Sequence, residues 1–409
     1  MSDINVPVKE IKIPVVDHPN ADTLSLVQIE GYTCLHKKDN NGNHTLSVGD
    51  HVVYIPEGYT VPEWILKKLN LWDDTEDKGV LSGPNKNIVK AKKLRGIFSQ
   101  GLLFPVTNKT IVLENGNKIP VKPEQNVAEL LGITKYEAPI PKALNGDVCY
   151  LKDYTKKYDF ENLQSRPTLF DKDEPVYANE KGHGTCFCIG YIKNLNHPEL
   201  IQGNIYSSSK GINAKGNVFK NQKLVKPKWT KYLPIFKSYF VKKYSKYQVI
   251  DSPCLYQTML RTLVDNGLDK WLHDLSLIYQ SDTIYVYGEI YGKGIQDLTY
   301  GAETPQVMFF DISIGGRYLN YNELKDAMER QSLVKLAPVL YEGPFDIELL
   351  TKVRDGKTTI GGDNIREGIV VRSTVENPHY RYGRKIAKMV SPDYLLRKAK
   401  KGEELTEFN

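Results

Sequence analysis

Little in this chain points to a membrane or to an oxidising compartment. Across 409 residues no apolar run approaches the roughly 18 needed to cross a bilayer. The opening MSDINVPVKEIKIP has neither an apolar signal core nor an Arg-rich amphipathic pattern. The expectation is a cytoplasmic protein without a membrane partner. Cysteine is scarce: Cys34, Cys149, Cys186, Cys188 and Cys254 are odd in number, widely spread and lack a CxxC pair, which argues against a disulfide framework and a structural zinc site. Internal repeats and long low-complexity tracts are also missing. What remains is ordinary for a soluble globular protein, with 40% hydrophobic and 25% charged residues. The length favours two domains over one. The net charge of +6 suits a polyanionic partner without demanding one.

From Ile11 to about Val106 the chain reads as short β-type runs broken by turn residues, SLVQIEGYTCL, DHVVYIPEG and SQGLLFPV. That spacing predicts a small barrel or sandwich. One helix is expected from Pro62 in VPEWILKKLNLW, where a first-turn proline costs no hydrogen bond and Trp64, Ile65, Leu69 and Trp72 share a face. Between Thr107 and Lys172 the text is rich in Lys, Asn, Pro and Asp and reads mostly as connection, with LGITKYEAPIPK in its middle. The expected division is residues 1–125, a linker over 126–172, and a second domain over 173–409. In that domain β-type runs such as CFCIGYI, TIYVYGEIYG, VMFFDISI and GIVVR alternate with helical stretches at 255–275 and 322–337, which predicts α+β. A last helix is expected over 391–401, with Ser391 as cap and Pro392 first.

Short segments of the second domain each set a charged or aromatic residue on or beside a β-type run. They are EKGHGT (180–185), SSSKG (207–211), YGEIYGKGIQ (287–296), FFDI (309–312), REGIVVR (366–372) and KIAKMVS (385–391). A lone K-x-H-G is weak and fits a lysine before any tight turn. The ordered series resembles the nucleotidyltransferase motifs of ATP-dependent RNA and DNA ligases and messenger-RNA capping enzymes. It is most similar to phage-type nick-sealing RNA ligases, whose lysine motif is K-x-H-G-T and whose third motif runs G-E-x-x-G-x-G-I-Q.

The resemblance implies a nucleotidyltransferase domain of ATP-grasp-like type with antiparallel sheets, ATP as a substrate, and Mg²⁺ or Mn²⁺. Lys181 becomes the nucleophile for the α-phosphorus. A lysine with a free pKa of about 10.4 must be neutral to attack, so neighbouring cations or a metal are expected to favour the amine. Gly182 and Gly184 would let the backbone turn tightly and approach a ligand. His183 stands where many relatives carry Asp; it is either a turn histidine or a direct participant. By the same resemblance Glu180, Lys181, Lys210, Glu289, Phe310, Arg372 and Lys388 contact the nucleotide, and Glu289 and Glu367 serve the metal, as oxygen ligands suit a hard cation. Phe310 stacks on adenine. Its neighbour Phe309 should face the opposite side of the strand and belong to the core. Arg372 either holds phosphate or is a solvated strand-end arginine. Cys186 and Cys188, one face of a strand, read as buried small hydrophobes. The last motif departs from the family: two lysines one residue apart are usual, but Lys388 is followed at the second position by Val390, leaving Lys385 or Arg384 as imperfect substitutes.

The first domain resembles the N-terminal OB-type module of one RNA ligase subgroup, through HPNADTLSLVQIEGY, VGDHVVYIPEGYTVPEWI and KAKKLRGIFSQGLL. OB folds are small barrels that commonly bind oligonucleotides. Lys90, Lys92, Lys93 and Arg95 beside Phe98 then make either a phosphate-binding strip or a solvated lysine run. With about eighteen residues after Ser391, a C-terminal OB module is not expected. The implied activity is joining of 3′-OH and 5′-phosphate ends of RNA or an RNA-containing duplex by a monomer. DNA ligation, GTP-dependent capping chemistry, or nucleic-acid binding by a decayed domain are the alternatives.

Overall fold

The computed structural model describes residues 5–136, 147–225 and 248–397. The chain divides into two compact units: Met1–Glu137 with Glu161–Thr168 and Pro392–Phe408, and Ala138–Phe160 with Leu169–Ser391 and Asn409.

The first unit is β-rich, as the alternating runs dictate. Along Ala21–Ile29 the residues Ala21, Ser25, Val27 and Ile29 are buried, because a pleated strand sends alternate side chains to one face. This strand pairs with Val16–His18 and Tyr32–Lys37, and a second three-stranded sheet joins Val8–Glu10, His51–Ile55 and Leu102–Val106. Val27, Ile29, Tyr32, Cys34, Val52, Tyr54 and Leu103 share one core. The described strands form separate small sheets, and no closed barrel is found among them. The expected helix spans Glu63–Lys68, with Pro62 as its cap instead of its first residue. It is shorter than the periodicity suggested, since Trp72 already belongs to a strand.

In the second unit we label the six strands that build the site: β1 (Pro175–Lys181), β2 (Thr185–Ile192), β3 (Thr283–Tyr291), β4 (Gln306–Ile314), β5 (Gly368–Ser373) and β6 (Ile386–Val390). Strands β2, β3 and β4 lie side by side in an eight-stranded sheet, and β1, β5 and β6 in a four-stranded one. Neighbouring strands within each trio are antiparallel. One face of the larger sheet presents Phe187, Ile189, Val286, Ile290, Phe309 and Ile312 to helices α1 (Leu255–Asp265) and α2 (Leu268–Ile278). The single helical stretch expected over 255–275 is broken because Gly267 adopts φ +102°, a left-handed conformation glycine takes readily. The other face meets the smaller sheet across a cluster of Tyr158, Cys186, Cys188, Tyr287, Val370 and Ile386. The helix Ile347–Arg354 contacts the smaller sheet as well, burying Leu350.

Three other expectations needed revision. The helix read over 322–337 ends at Glu329, and Lys335–Leu336 forms a strand parallel to β4. The stretch read as connection contributes an edge strand, Val148–Tyr150, and the buried Tyr158; residues 137–146 lie outside the described residues. The last helix spans Pro392–Leu396, and 398–401 lie outside the described residues.

Candidate functional site

Strand register decides which motif residues meet. Across β1 and β5, Tyr177 pairs with Arg372, Asn179 with Val370 and Lys181 with Gly368; across β5 and β6, Val370 pairs with Lys388. Paired residues share a face, so Lys181, Asn179, Arg372 and Lys388 all lie on the side facing the larger sheet. On that sheet Cys186 pairs with Glu289 and Cys188 with Tyr287, which puts Glu289 on the opposing wall. Antiparallel pairing thus brings four dispersed motifs to the cleft between the two sheets.

Lys181 ends β1 and forms an ion pair with Glu367, the residue preceding β5. Glu367 is 2% exposed, and its second oxygen, Oε2, is buried without a hydrogen-bond partner. His183 Nδ1 lies 3.8 Å from that oxygen, and His183 Nε2 lies 2.6 Å from Asp297 Oδ1. Burial pushes the Glu289 carboxyl well above the usual carboxylate range. Cys186 and Glu367 add to the rise, and Lys181 and the Gly184 amide oppose it. A buried, unpartnered carboxylate oxygen near a second buried carboxyl fits a hard divalent cation, and Glu367 and Glu289 are the residues that could hold one.

The two glycines of the nucleophile turn serve the protein's own packing. Neither has a positive φ. A Cβ on Gly184 would lie 2.2 Å from the Ile290 carbonyl and 3.0 Å from Glu289 Cγ, and one on Gly182 would lie 2.1 Å from Met308 Cε. Their close packing is against β3 and β4.

Phe309 and Phe310 separate as the strand geometry required. Phe309 is fully buried and stacks on Trp271 at 6.1 Å. Phe310 faces the cleft, 5.6 Å from Tyr158. A register shift after Tyr287 pairs Tyr287 with Asp311 and Gly288 with Phe309, leaving Phe310 as the extra residue of a bulge. Bulges re-aim side chains, and here the consecutive Phe310 and Asp311 both reach the cleft side. Asp311 Oδ2 accepts hydrogen bonds from Tyr158 Oη at 2.7 Å and Arg384 Nη1 at 2.6 Å. Arg384 and Arg372 hold its carboxyl below the usual range against the opposing effect of burial.

Other motif residues are placed differently from expectation. The Glu180 side chain points to the opposite face of β1, where Thr359 N and Oγ1 both donate to its Oε2 at 2.7 Å and Thr358 donates to Oε1. Its carboxylate cannot face a nucleotide in the cleft. Arg372 is not a solvated strand end: it is 1% exposed, donates to Asn179 Oδ1 at 2.6 Å and lies 3.8 Å from Asp311. Lys210 pairs with Asp159 at 2.7 Å. Lys385 points away from the cleft to Glu174 at 2.7 Å, and Arg384 is committed to Asp311 and Glu376. Neither takes the position of Val390, which pairs with Gly368 on the cleft face. Cys186 and Cys188 are buried as expected, with sulfurs 3.8 Å apart.

In the first unit Lys92–Leu94 and Ile97–Ser99 form a hairpin whose turn residues Arg95 and Gly96 both have positive φ, at +46° and +93°, the geometry of a two-residue type I′ turn. Lys93 pairs with Phe98, whereas Lys92 pairs with Ser99. The strip therefore splits across two faces, and Lys93 is the lysine on the Phe98 side. A separate group of potential metal-ligating side chains, Cys149, His197 and Glu199, belongs to neither site, and its Glu199 pairs with Lys220 at 2.6 Å.

Sequence reasoning assigned no role to Tyr158, Asp297, Tyr300 or Asp311. Asp297 directly follows the third motif and Asp311 lies inside FFDI, so both had a positional signal. Tyr158 had none, standing in a stretch rich in turn formers.

Three structures of a Naegleria gruberi RNA ligase share this fold. A variant with AMP and Mn has TM-score 0.65 and 18% identity, covering 95% of this chain and 97% of that one. A variant with ATP and Mn has TM-score 0.63 and 19% identity, covering 95% and 98%. The form with pyrophosphate has TM-score 0.64 and 18% identity, covering 95% and 97%. No curated protein matches the sequence. The family model described as RNA ligase matches residues 174–390, more than half of the chain, and encompasses Lys181, Glu289, Phe310, Glu367 and Lys388; this protein belongs to the RNA ligase family.

Proposed function

We propose that this protein joins RNA ends with ATP through a covalent adenylate on Lys181. The observation that carries the reading is the convergence of Lys181, Glu367 and Glu289 at one end of the cleft, within the matched region. In the first step the Lys181 Nζ lone pair forms a bond to the α-phosphorus, and the bond to the β-phosphate oxygen breaks with its electron pair leaving on pyrophosphate. In this protein Nζ is engaged by Glu367, so that pair must separate or pass a proton before attack. The AMP then moves to a 5′-phosphate, and a 3′-OH displaces it. A divalent cation held by Glu367 and Glu289 would neutralise phosphate charge. The chain's own contribution is in-line positioning: Phe310 supports the base, and Lys388, on the cleft face, supports phosphate. Arg372, buried on the same face of the smaller sheet, acts through Asn179 and Asp311.

We propose that residues 1–125 form an OB-type module that binds RNA through Lys90, Lys92, Lys93 and Arg95, with 126–172 linking it to the catalytic domain. The Naegleria structures with ATP, AMP and Mn support ATP as substrate and Mg²⁺ or Mn²⁺ as the metal.

Incubation with α-labelled ATP or GTP and magnesium tests the reading. Wild type should form a covalent adduct with ATP only, labile to acid and stable to alkali as a phosphoramidate is, and Lys181→Ala should form none. Absence of an adduct in wild type would sink the ligase reading, whereas an adduct in Lys181→Ala would sink only the assignment. Sealing of nicked duplexes with RNA or DNA on each side then separates RNA from DNA ligation.

A further inference from the structure

The turn that carries Lys181 is held by side chains from the segment that leaves β3. Gln296 Nε2 donates to the Gly184 carbonyl at 3.0 Å, His183 N donates to Tyr300 Oη at 2.7 Å, and His183 Nε2 meets Asp297 Oδ1 at 2.6 Å. Tyr300 is itself fixed, its backbone N–H donating to Asn364 Oδ1 at 3.0 Å. The His183 and Asp297 side chains are only 9% and 10% exposed. With Asp297 ionised, the carboxylate accepts and Nε2 carries the shared hydrogen. The other ring nitrogen, Nδ1, then points toward the orphaned Glu367 Oε2 at 3.8 Å, on the carboxylate that engages Lys181.

A buried polar pair of this kind adds little to stability over an apolar pair of the same volume. What it does supply is one fixed orientation for a ring two residues from the nucleophile. We infer that Asp297 is a positioning residue of the ligase site: it holds the His183 ring against the Glu367–Lys181 pair, and Tyr300 and Gln296 complete the clamp on the turn. The inference rests on Lys181 being the adenylylated residue. It takes the participant reading of His183, which the rate measurements below test.

The test is the single-turnover rate of lysyl-AMP formation, measured over a range of ATP concentrations for wild type, Asp297→Ala, His183→Ala, the double variant and Asp297→Asn. Outer-sphere partners of reactive groups typically contribute about 10–100-fold. Asp297→Ala should slow the rate at saturating ATP by that amount, with half-saturation within about threefold of wild type. The double variant should be no slower than the slower single variant, because residues that act as one unit are not additive. Asn can still accept from Nε2–H, so Asp297→Asn should restore the rate to within about fivefold of wild type. Wild-type speed in Asp297→Ala, or losses that multiply in the double variant, would overturn the inference. If circular dichroism shows Asp297→Ala unfolded, Asp297→Asn decides: a loss as large as that of His183→Ala overturns it, and near-wild-type speed upholds it. Failure of wild type to form any adduct would instead strike the ligase reading itself, so the two failures are distinct.

Discussion

Replacing Asp311 by Asn should destabilise the protein by about 3–5 kcal/mol, the usual cost of removing one partner from a buried ion pair. Asn keeps the volume and can still accept from Tyr158. Arg384 keeps its bonds to Glu376 at 2.9 and 3.0 Å. Arg372 is the residue left exposed to the loss: it is 1% solvent-accessible, its Nε has no hydrogen-bond partner, and Asp311 at 3.8 Å supplies its compensating charge. With a urea m-value of about 2–3 kcal/mol per M, the midpoint read by circular dichroism should fall by about 1–2.5 M. The linkage sign agrees. The folded-state pKa of Asp311 is held below its ordinary 3.8 by the two arginines, so its contribution is present above pH 3.8 and disappears as pH falls through the lower folded value. The midpoints of wild type and Asp311→Asn should therefore converge in strong acid and differ most near neutrality. A difference under 1 kcal/mol at neutral pH, or one unchanged between pH 7 and strong acid, would refute the assignment of Asp311 as the counter-charge of Arg372.

Three further outcomes follow from placements in the fold. Gly184→Ala should lower thermal stability by about 2–10 °C in scanning fluorimetry and slow lysyl-AMP formation, because its Cβ would sit 2.2 Å from the Ile290 carbonyl and overpacking costs about 1–3 kcal/mol; an unchanged melting temperature would show that the turn can relax. Glu180→Gln should cost about 1–3 kcal/mol of stability while leaving half-saturation by ATP within about twofold, since the carboxylate bonds Thr358 and Thr359 behind the sheet; a tenfold rise in half-saturation with normal stability would return Glu180 to the nucleotide. Lys93→Ala should reduce the slope of log affinity for RNA against log salt by about 0.7–0.9 if the hairpin contacts phosphate, and an unchanged slope would leave Lys93 a solvated surface lysine.

Much of the site could be read from the chain because its chemistry is local. A lysine beside two glycines, a glutamate within a strand, an aromatic pair and a carboxylate at a strand end each stand out within a few residues, and strand alternation alone separated Phe309 from Phe310. The same alternation failed at Asp311, where a bulge turns two consecutive residues toward one side. Alternation did place Glu180, one residue before Lys181 on β1, on the far face of the sheet, where its carboxylate bonds Thr358 and Thr359; the assignment of Glu180 to the nucleotide came from the resemblance and ran against that pattern. Helix lengths were overestimated where a left-handed glycine or a competing strand ended them, as at Gly267 and Lys335.

The sequence by itself determined which groups could do chemistry and the order in which they arrive: Lys181, Glu289, Phe310, Glu367, Lys388. Tertiary structure alone decided their partners. Lys181 and Glu367 meet across 186 residues of chain, His183 and Asp297 across 114, and Arg372 and Asn179 across 193. Such pairings depend on sheet register and on which face of a sheet is buried, properties of the whole packed domain that no window of residues carries.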